Sequence, residues 1–230
     1  MKTPTLVIGD LHGQLEIAQK ALDSIYPVIF LGDFLDSFTR TVDDQIQTLL
    51  LVLNAVERGN ARALMANHEM SYMRPELRCS GWNPATQVHV SHLQYRMDML
   101  LEDYIWCEGF LITHAGVSQR LLDALETDLD TYLSTGDFDQ IGRSRGGRAP
   151  CGGLRWCDWR EFEPVEGVDQ IVGHTRGRVI RTKGNNWCID VLEDREPQGL
   201  LIQDGTARII HLNDMMSVSE VIEDAQDGIS

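Results

Sequence analysis

Cysteine is scarce in this chain: five in 230 residues, at positions 79, 107, 151, 157 and 188, an odd number with no CxxC pair. Neither a disulfide framework nor a zinc knuckle is expected, and the thiols are read as reduced. Cys151 and Cys157 are close in sequence, but no second pair stands at ligand spacing. Positive charge is scarce as well, with 20 Lys and Arg against 35 Asp and Glu, a net charge of −15 and a pI near 4.7. That balance excludes a broad phosphate-neutralising face, because non-specific nucleic-acid binding depends on clustered Lys and Arg. No apolar run approaches the roughly 18 residues of a membrane span. The opening MKTPTLVIGD reaches a charged Asp before an apolar core of signal-peptide length has formed. A soluble, cytoplasmic protein is expected, with no membrane partner and no stable nucleic-acid binding. What is present is a 43% hydrophobic composition, enough to build a substantial core for one α/β domain.

Residues 5–9 (TLVIG) form a short apolar, partly β-branched run ending in Gly-Asp, and residues 28–32 (VIFLG) repeat that shape after a helical stretch stopped by Pro27. Two buried strands follow. From Val42 to Arg58 apolar residues recur with helical period, and Gly59-Asn60 supplies the stop. Further strands are expected at 62–65, 110–113 and 170–173. Residues 70–106, with Pro75, Pro84 and a helix-like stretch over 93–105, read as a helical excursion over the strand ends. Residues 136–153, rich in Gly and Arg, read as a loop. After 173 the segments 178–182, 187–191, 199–203 and 208–211 are short and separated by turn residues, which predicts antiparallel hairpins in a second sheet. The domain is expected to span 1–212, with 213–230 an acidic, solvated tail.

Five of these strands end in a residue able to bind metal: Asp10, Asp33, Asn67, His114 and His174. In open α/β sheets, ligands gather beyond the carboxyl ends of the strands, so residues far apart in sequence can converge there. Asp10 and His12 are two apart and point the same way in an extended segment. Singly, each has an ordinary explanation, since Asp or Asn after a strand often caps a helix and a buried His can simply be hydrogen-bonded.

Taken in order, the motifs GDLHG (9–13), GDFLD (32–36), ANHE (66–69), THAG (113–116) and GHT (173–175) resemble those of the calcineurin-like metallophosphoesterases. The match is to the phosphoprotein phosphatase branch shared with phage phosphatases and symmetrical diadenosine tetraphosphate hydrolases, and it extends over residues 5–175. The resemblance implies an α/β fold with a metallophosphoesterase-type β-sandwich flanked by helices. It implies that Asp10, His12 and Asp33 hold one divalent ion and that Asp33, Asn67, His114 and His174 hold a second. Carboxylate, imidazole and amide donors suit manganese first, with iron or zinc as alternatives, better than calcium. His68 would be the general acid and Asp36 the carboxylate that orients it. The implied reaction is hydrolysis of phosphomonoesters, on phosphoserine or phosphothreonine proteins or on small phosphorylated molecules, by a hydroxide bridging the two ions. A dinucleoside polyphosphate hydrolase or phosphodiesterase is the alternative enzyme, and a catalytically inactive docking module the alternative from another class.

The sequence departs from the family pattern in three places. Ser37 and Phe38 follow Asp36 where that branch usually carries a phosphate-gripping Arg, and Arg40 is the nearest substitute. Ala66 replaces a Gly. In LRWCDWRE (154–161), Asp158 occupies the place of the first Arg of the phage-type segment, flanked by Arg155 and Arg160. Arg40, Arg145, Arg155 and Arg160 are therefore the candidates for substrate phosphate, with Arg143 and Arg148 nearby and surface salt bridges as the ordinary reading. His89 and His92 belong to no motif and read as solvated, Trp156, Trp159 and Phe162 read as core, and His211 is unassigned.

Overall fold

The computed structural model describes residues 3–191 and 196–215. The first half runs β1 (Thr5–Ile8), α1 (Leu15–Leu22), β2 (Val28–Phe30), α2 (Val42–Glu57), β3 (Ala61–Ala63), α3 (Asn67–Met73), α4 (Pro84–Val90), α5 (Gln94–Leu100), β4 (Tyr104–Cys107) and β5 (Phe110–Thr113). The second runs α6 (Gln119–Leu125), α7 (Leu129–Thr135), β6 (Asp169–Val172), β7 (Arg181–Lys183), β8 (Asn186–Cys188), β9 (Gln198–Gln203) and β10 (Thr206–His211). Two five-stranded sheets result, ordered β10-β9-β1-β2-β3 and β4-β5-β6-β8-β7. The class is the expected one, mixed α/β with two sheets flanked by helices.

Side-chain alternation builds the layers. In β1 and β2, Leu6, Ile8, Val28 and Phe30 pack with Ala18, Ala21, Leu49, Val52 and Leu53 of α1 and α2. Their neighbours Val7 and Ile29 face the other way, onto Ile112, Ile171, Ile189 and Leu200 between the sheets. A strand whose successive residues are all buried needs cover on both faces, which is why these runs are continuously apolar rather than alternating. Leu111 and Val172 carry the outer face of the second sheet, packed with Leu121, Leu122, Tyr132 and Leu133 of α6 and α7. The long helix α2 starts on a reciprocal cap, Thr41 accepting from the Asp44 N–H while the Asp44 carboxylate accepts from the Thr41 N–H.

Three expectations change. The terminal hairpin β9–β10 does not form the second sheet but pairs antiparallel with β1 and so extends the first. The second sheet is mixed, with β5, β6 and β8 parallel and β4 and β7 antiparallel at its edges. The helical excursion ends earlier than expected: α5 stops at Leu100 and Tyr104–Cys107 is an edge strand against β5. Residues 119–135 form two helices, α6 and α7, that the sequence reading did not place. Of the expected acidic tail, 213–215 is described, with Asn213 Oδ1 accepting a 2.8 Å bond from Lys20 Nζ; the remainder lies outside the described residues. Among the described residues no helix is long and apolar enough to cross a membrane.

Candidate metal centre

The ends of β1, β2, β5 and β6, with the start of α3 after β3, deliver Asp10, Asp33, His114, His174 and Asn67 to one rim of the sandwich. Backbone geometry there is unusual: His12, Asp33, Asp36 and His174 all have positive φ, between 43° and 63°. Non-glycine residues in that region carry a conformational cost and persist where surroundings over-determine them, often at functional sites. Asp33 is held by Glu69, whose two carboxyl oxygens accept the Asp33 and Phe34 N–H groups at 2.9 and 2.8 Å. Asp36 is held by Gln45 Oε1, which accepts its N–H at 2.8 Å. Ala66 is extended, at φ −101° and ψ 175°, so a side chain there is unstrained; its Cβ fits because Gly32 opposite has none.

Tautomers follow from the carbonyls that the rings meet. His114 Nδ1 lies 2.9 Å from Leu31 O and His12 Nδ1 lies 2.7 Å from Leu35 O. A carbonyl accepts, so in the neutral ring both Nδ1 atoms carry hydrogen and both Nε2 atoms present lone pairs. His114 Nε2 then points its lone pair at Asn67 Oδ1, 2.8 Å away, and at His174 Nδ1, 3.2 Å away. Around Asp33 Oδ2 stand the Nε2 atoms of His114, His12 and His68, at 3.5, 3.7 and 3.8 Å. Two sets of donor atoms close enough to share an ion include Asp33: His12–Asp33–His68 and Asp33–His114–His174. Asp10 is in neither set; its carboxylate accepts the His174 N–H, with both oxygens within 3.1 Å.

Charge tells the same story. Burial pushes His12 down to about 4 and lowers His114 and His174, which favours the neutral ring that a metal ligand needs. Burial also pushes Asp10 well above the usual carboxylate range, with Asp190 and Asp33 adding repulsion. Burial alone would raise Asp33 too, but the surrounding imidazoles, His114 foremost, pull it below its ordinary value. Asp190, just beyond β8, is lifted to about 6 by burial, with Arg176 opposing. Three buried acids and a cluster of converging donor atoms, His114 Nε2, His174 Nδ1 and Asn67 Oδ1, each within 3.2 Å of the other two, fit divalent cations. The donor set of carboxylate, imidazole and amide oxygen is a transition-metal one.

His68 behaves differently. Burial would lower it, but Asp33, the 2.8 Å bond between Nδ1 and Asp36 Oδ2, and Cys79 outweigh burial and raise it well above its ordinary value. The other Asp36 oxygen accepts the Tyr72 hydroxyl, which fixes the carboxylate and, through it, the ring.

The arginine candidates separate. Arg145 and Arg160 line the cleft of about 560 Å³ that also contains His12, Asp33, Asn67, His68 and His174. Both lean on the buried Asp158, at 3.2 and 3.1 Å. Arg40 lies outside that cleft, paired with Glu16 at 2.5 Å and lining a neighbouring depression beside Asp10. Arg155 is placed differently from Arg145 and Arg160: its Nε bonds Met65 O, its Nη1 bonds Asp139 at 2.9 Å, and its Nη2 bonds Asp103. Arg155 is buried and does not line the cleft, and all three of its nitrogens are engaged elsewhere. We expect Arg155→Met to destabilise by about 3 kcal/mol, the scale of breaking a buried pair, read as a lower urea midpoint with KM little changed. Residues that the sequence reading did not assign also line the cleft: Arg78, Cys79, Arg176 and Asp190. Arg176 directly follows the GHT motif, a position that could have flagged it. Asp190 was hidden inside an expected strand, 187–191, that in fact stops at Cys188. Glu69→Ala should orphan two buried N–H groups, costing roughly 2–4 kcal/mol by chemical denaturation. It should also lower metal content, because Asp33 loses its anchor.

A larger depression of about 650 Å³ between α1 and α2 has no histidine or cysteine in its lining, whereas the strand-end cleft is lined by three histidines and a cysteine. Solved structures share this fold. A mutant of a cold-active protein tyrosine phosphatase superposes with a TM-score of 0.60 at 14% identity, over 92% of this chain and 81% of that one. A protein serine/threonine phosphatase from Saccharomyces cerevisiae gives 0.57 at 14%, over 90% and 79%. Among curated proteins no sequence match was found. The family model described as calcineurin-like phosphoesterase matches residues 3–205, nearly the whole described chain. This chain therefore belongs to the calcineurin-like phosphoesterase family.

Proposed function

We propose that the chain is a two-metal phosphomonoesterase acting on phosphorylated proteins or small phosphorylated molecules. The observation that carries this reading is the convergence of three imidazole Nε2 atoms on Asp33 Oδ2, within 3.8 Å. His12 and Asp33, with Asp10 turned from the His174 N–H, would hold one ion; Asp33, Asn67, His114 and His174 would hold the other. Manganese is the first choice, with iron or zinc as alternatives. When bound, such ions activate water and neutralise charge on the phosphoryl group.

The chain's own groups do the rest. His68 donates its Nε2 proton to the leaving oxygen, and Asp36 keeps the ring charged and aimed through Nδ1. Arg145 and Arg160, aligned by Asp158, and Arg176, which also lines the cleft, supply guanidinium forks for the phosphate oxygens. They stand in for the arginine missing after Asp36. Ser37 takes that position, and the next residue, the exposed Phe38, lines the cleft; this apolar rim favours, as a second reading, a substrate with a base to stack, such as a dinucleoside polyphosphate.

The test is to strip the protein of metal, reconstitute it with manganese, and assay four substrates. These are p-nitrophenyl phosphate, bis(p-nitrophenyl) phosphate, a phosphothreonine peptide and diadenosine tetraphosphate. Preference for a monoester supports the proposal, and preference for the diester or dinucleotide promotes the second reading. Absence of metal-dependent turnover on all four would leave a docking module.

A further inference from the structure

On the side of His68 away from Asp33, a second group of donor atoms meets: Asp36, His68 and Cys79, whose ligand atoms all lie within 4.8 Å of one another. Cys79 Sγ is 3.3 Å from His68 Nδ1, and Asp36 Oδ2 is 2.8 Å from the same nitrogen. A tetrahedral zinc with bonds of about 2.0 Å to N or O and 2.3 Å to S holds its donors roughly 3.3–3.5 Å apart. The sulfur–nitrogen edge is thus already near that length, the nitrogen–oxygen edge needs to open by about half an ångström, and the three atoms lie close enough together to share one ion. Cys79 is half-buried and lines the cleft, so the fourth position is open to water. The loop can press this close because Gly81, at φ +94°, has no Cβ to strike Asp36.

We propose that Asp36, His68 and Cys79 form a third metal site, distinct from the two-ion centre, that takes zinc and silences the enzyme. The two centres lie beyond opposite edges of the His68 ring: Nε2 looks toward Asp33, a ligand of the two-ion centre, whereas Nδ1 looks toward Asp36 and Cys79. The sulfur selects zinc over manganese, which prefers oxygen donors. Binding sends the thiol proton and the Nδ1 proton to solvent, and the zinc then occupies the nitrogen lone pair. A ring ligated at Nδ1 keeps its Nε2 proton but can no longer be an imidazolium, and the N–H of a metal-bound imidazole is a far weaker acid, so His68 loses the acidity it needs to protonate the leaving oxygen. Affinity falls in acid, because both protons must leave.

Cobalt(II) reads the site without turnover. The two-ion centre offers only nitrogen and oxygen, so a thiolate-to-cobalt charge-transfer band in the near ultraviolet reports Cys79 or the Cys151–Cys157 pair, whose sulfurs are 3.7 Å apart. The band should vanish in Cys79→Ser and persist in Cys151→Ser. In the manganese-loaded enzyme, excess zinc should inhibit wild type, and the inhibition midpoint should rise at least about tenfold in Cys79→Ser, each protein normalised to its own zinc-free rate. Zinc exchange into the two-ion centre would inhibit both proteins equally. A band that survives in Cys79→Ser, or equal inhibition of the two proteins, overturns the proposal. The inhibition arm rests on the phosphoesterase reading, but the cobalt arm does not, so the two can fail separately.

Discussion

Asp33→Asn should lose both bound metal and turnover. Asp33 Oδ2 is the one oxygen faced by His12, His68 and His114, and its carboxylate is the charge that both sets of donor atoms share. Replacing it with an amide removes a negative charge from between two cations while leaving the backbone bond to Glu69 in place, so the fold should survive. If metal coordination contributes about 4 kcal/mol to the transition state, the loss in kcat is roughly a thousandfold. Elemental analysis should show fewer ions per chain, and added manganese should not restore the rate. A variant that keeps two ions per chain would show that Asp33 is not the shared ligand.

His68→Asn should behave in the opposite way toward metal. A positioned acid contributes about 10²- to 10⁴-fold, so kcat should fall by that order while metal content stays near wild type. The deficit should be smaller for p-nitrophenyl phosphate, whose leaving group needs little protonation, than for an alkyl phosphate. Protonated His68 is the active form, and its neighbours hold its titration above the ordinary range; the wild-type rate should therefore fall as pH rises through that titration. The alkaline limb should be missing in His68→Asn. In Asp36→Asn it should move to lower pH, because the carboxylate that favours the imidazolium through Nδ1 is gone. Equal metal loss in His68→Asn and Asp33→Asn would mean that His68 is a ligand rather than the acid.

Much of the site was legible because each buried strand announces its end. In β1, β2 and β6 an apolar, β-branched run stops at Gly9, Gly32 or Gly173 and hands over to a polar residue, and these are local chain properties. Gly173 shows why: a Cβ there would overlap the Asp10 carboxylate, so the spacing of the motif carries a packing requirement. The edge strand β4 was not legible, since Tyr104, Ile105 and Trp106 suit helix or strand alike until β5 is beside them. The placing of β9–β10 on the first sheet was not legible either. Hairpin chemistry fixes the pairing of β9 with β10, but which sheet they join depends on the edge that β1 offers.

The sequence by itself therefore determined the fold class, the strand ends and the donor chemistry, because apolar periodicity, glycine stops and ligand type are written residue by residue. The tertiary structure decided which charges are free to act. Arg155 is paired with Asp103 and Asp139, Arg145 and Arg160 are steered by Asp158, and Arg176, one residue past the GHT motif, and Asp190, from a segment with no recognisable motif, reach the cleft. Cys79 meets His68 across a loop. Ion pairs and shared ligands depend on distances of 3–4 Å through space, and no spacing along the chain encodes those distances.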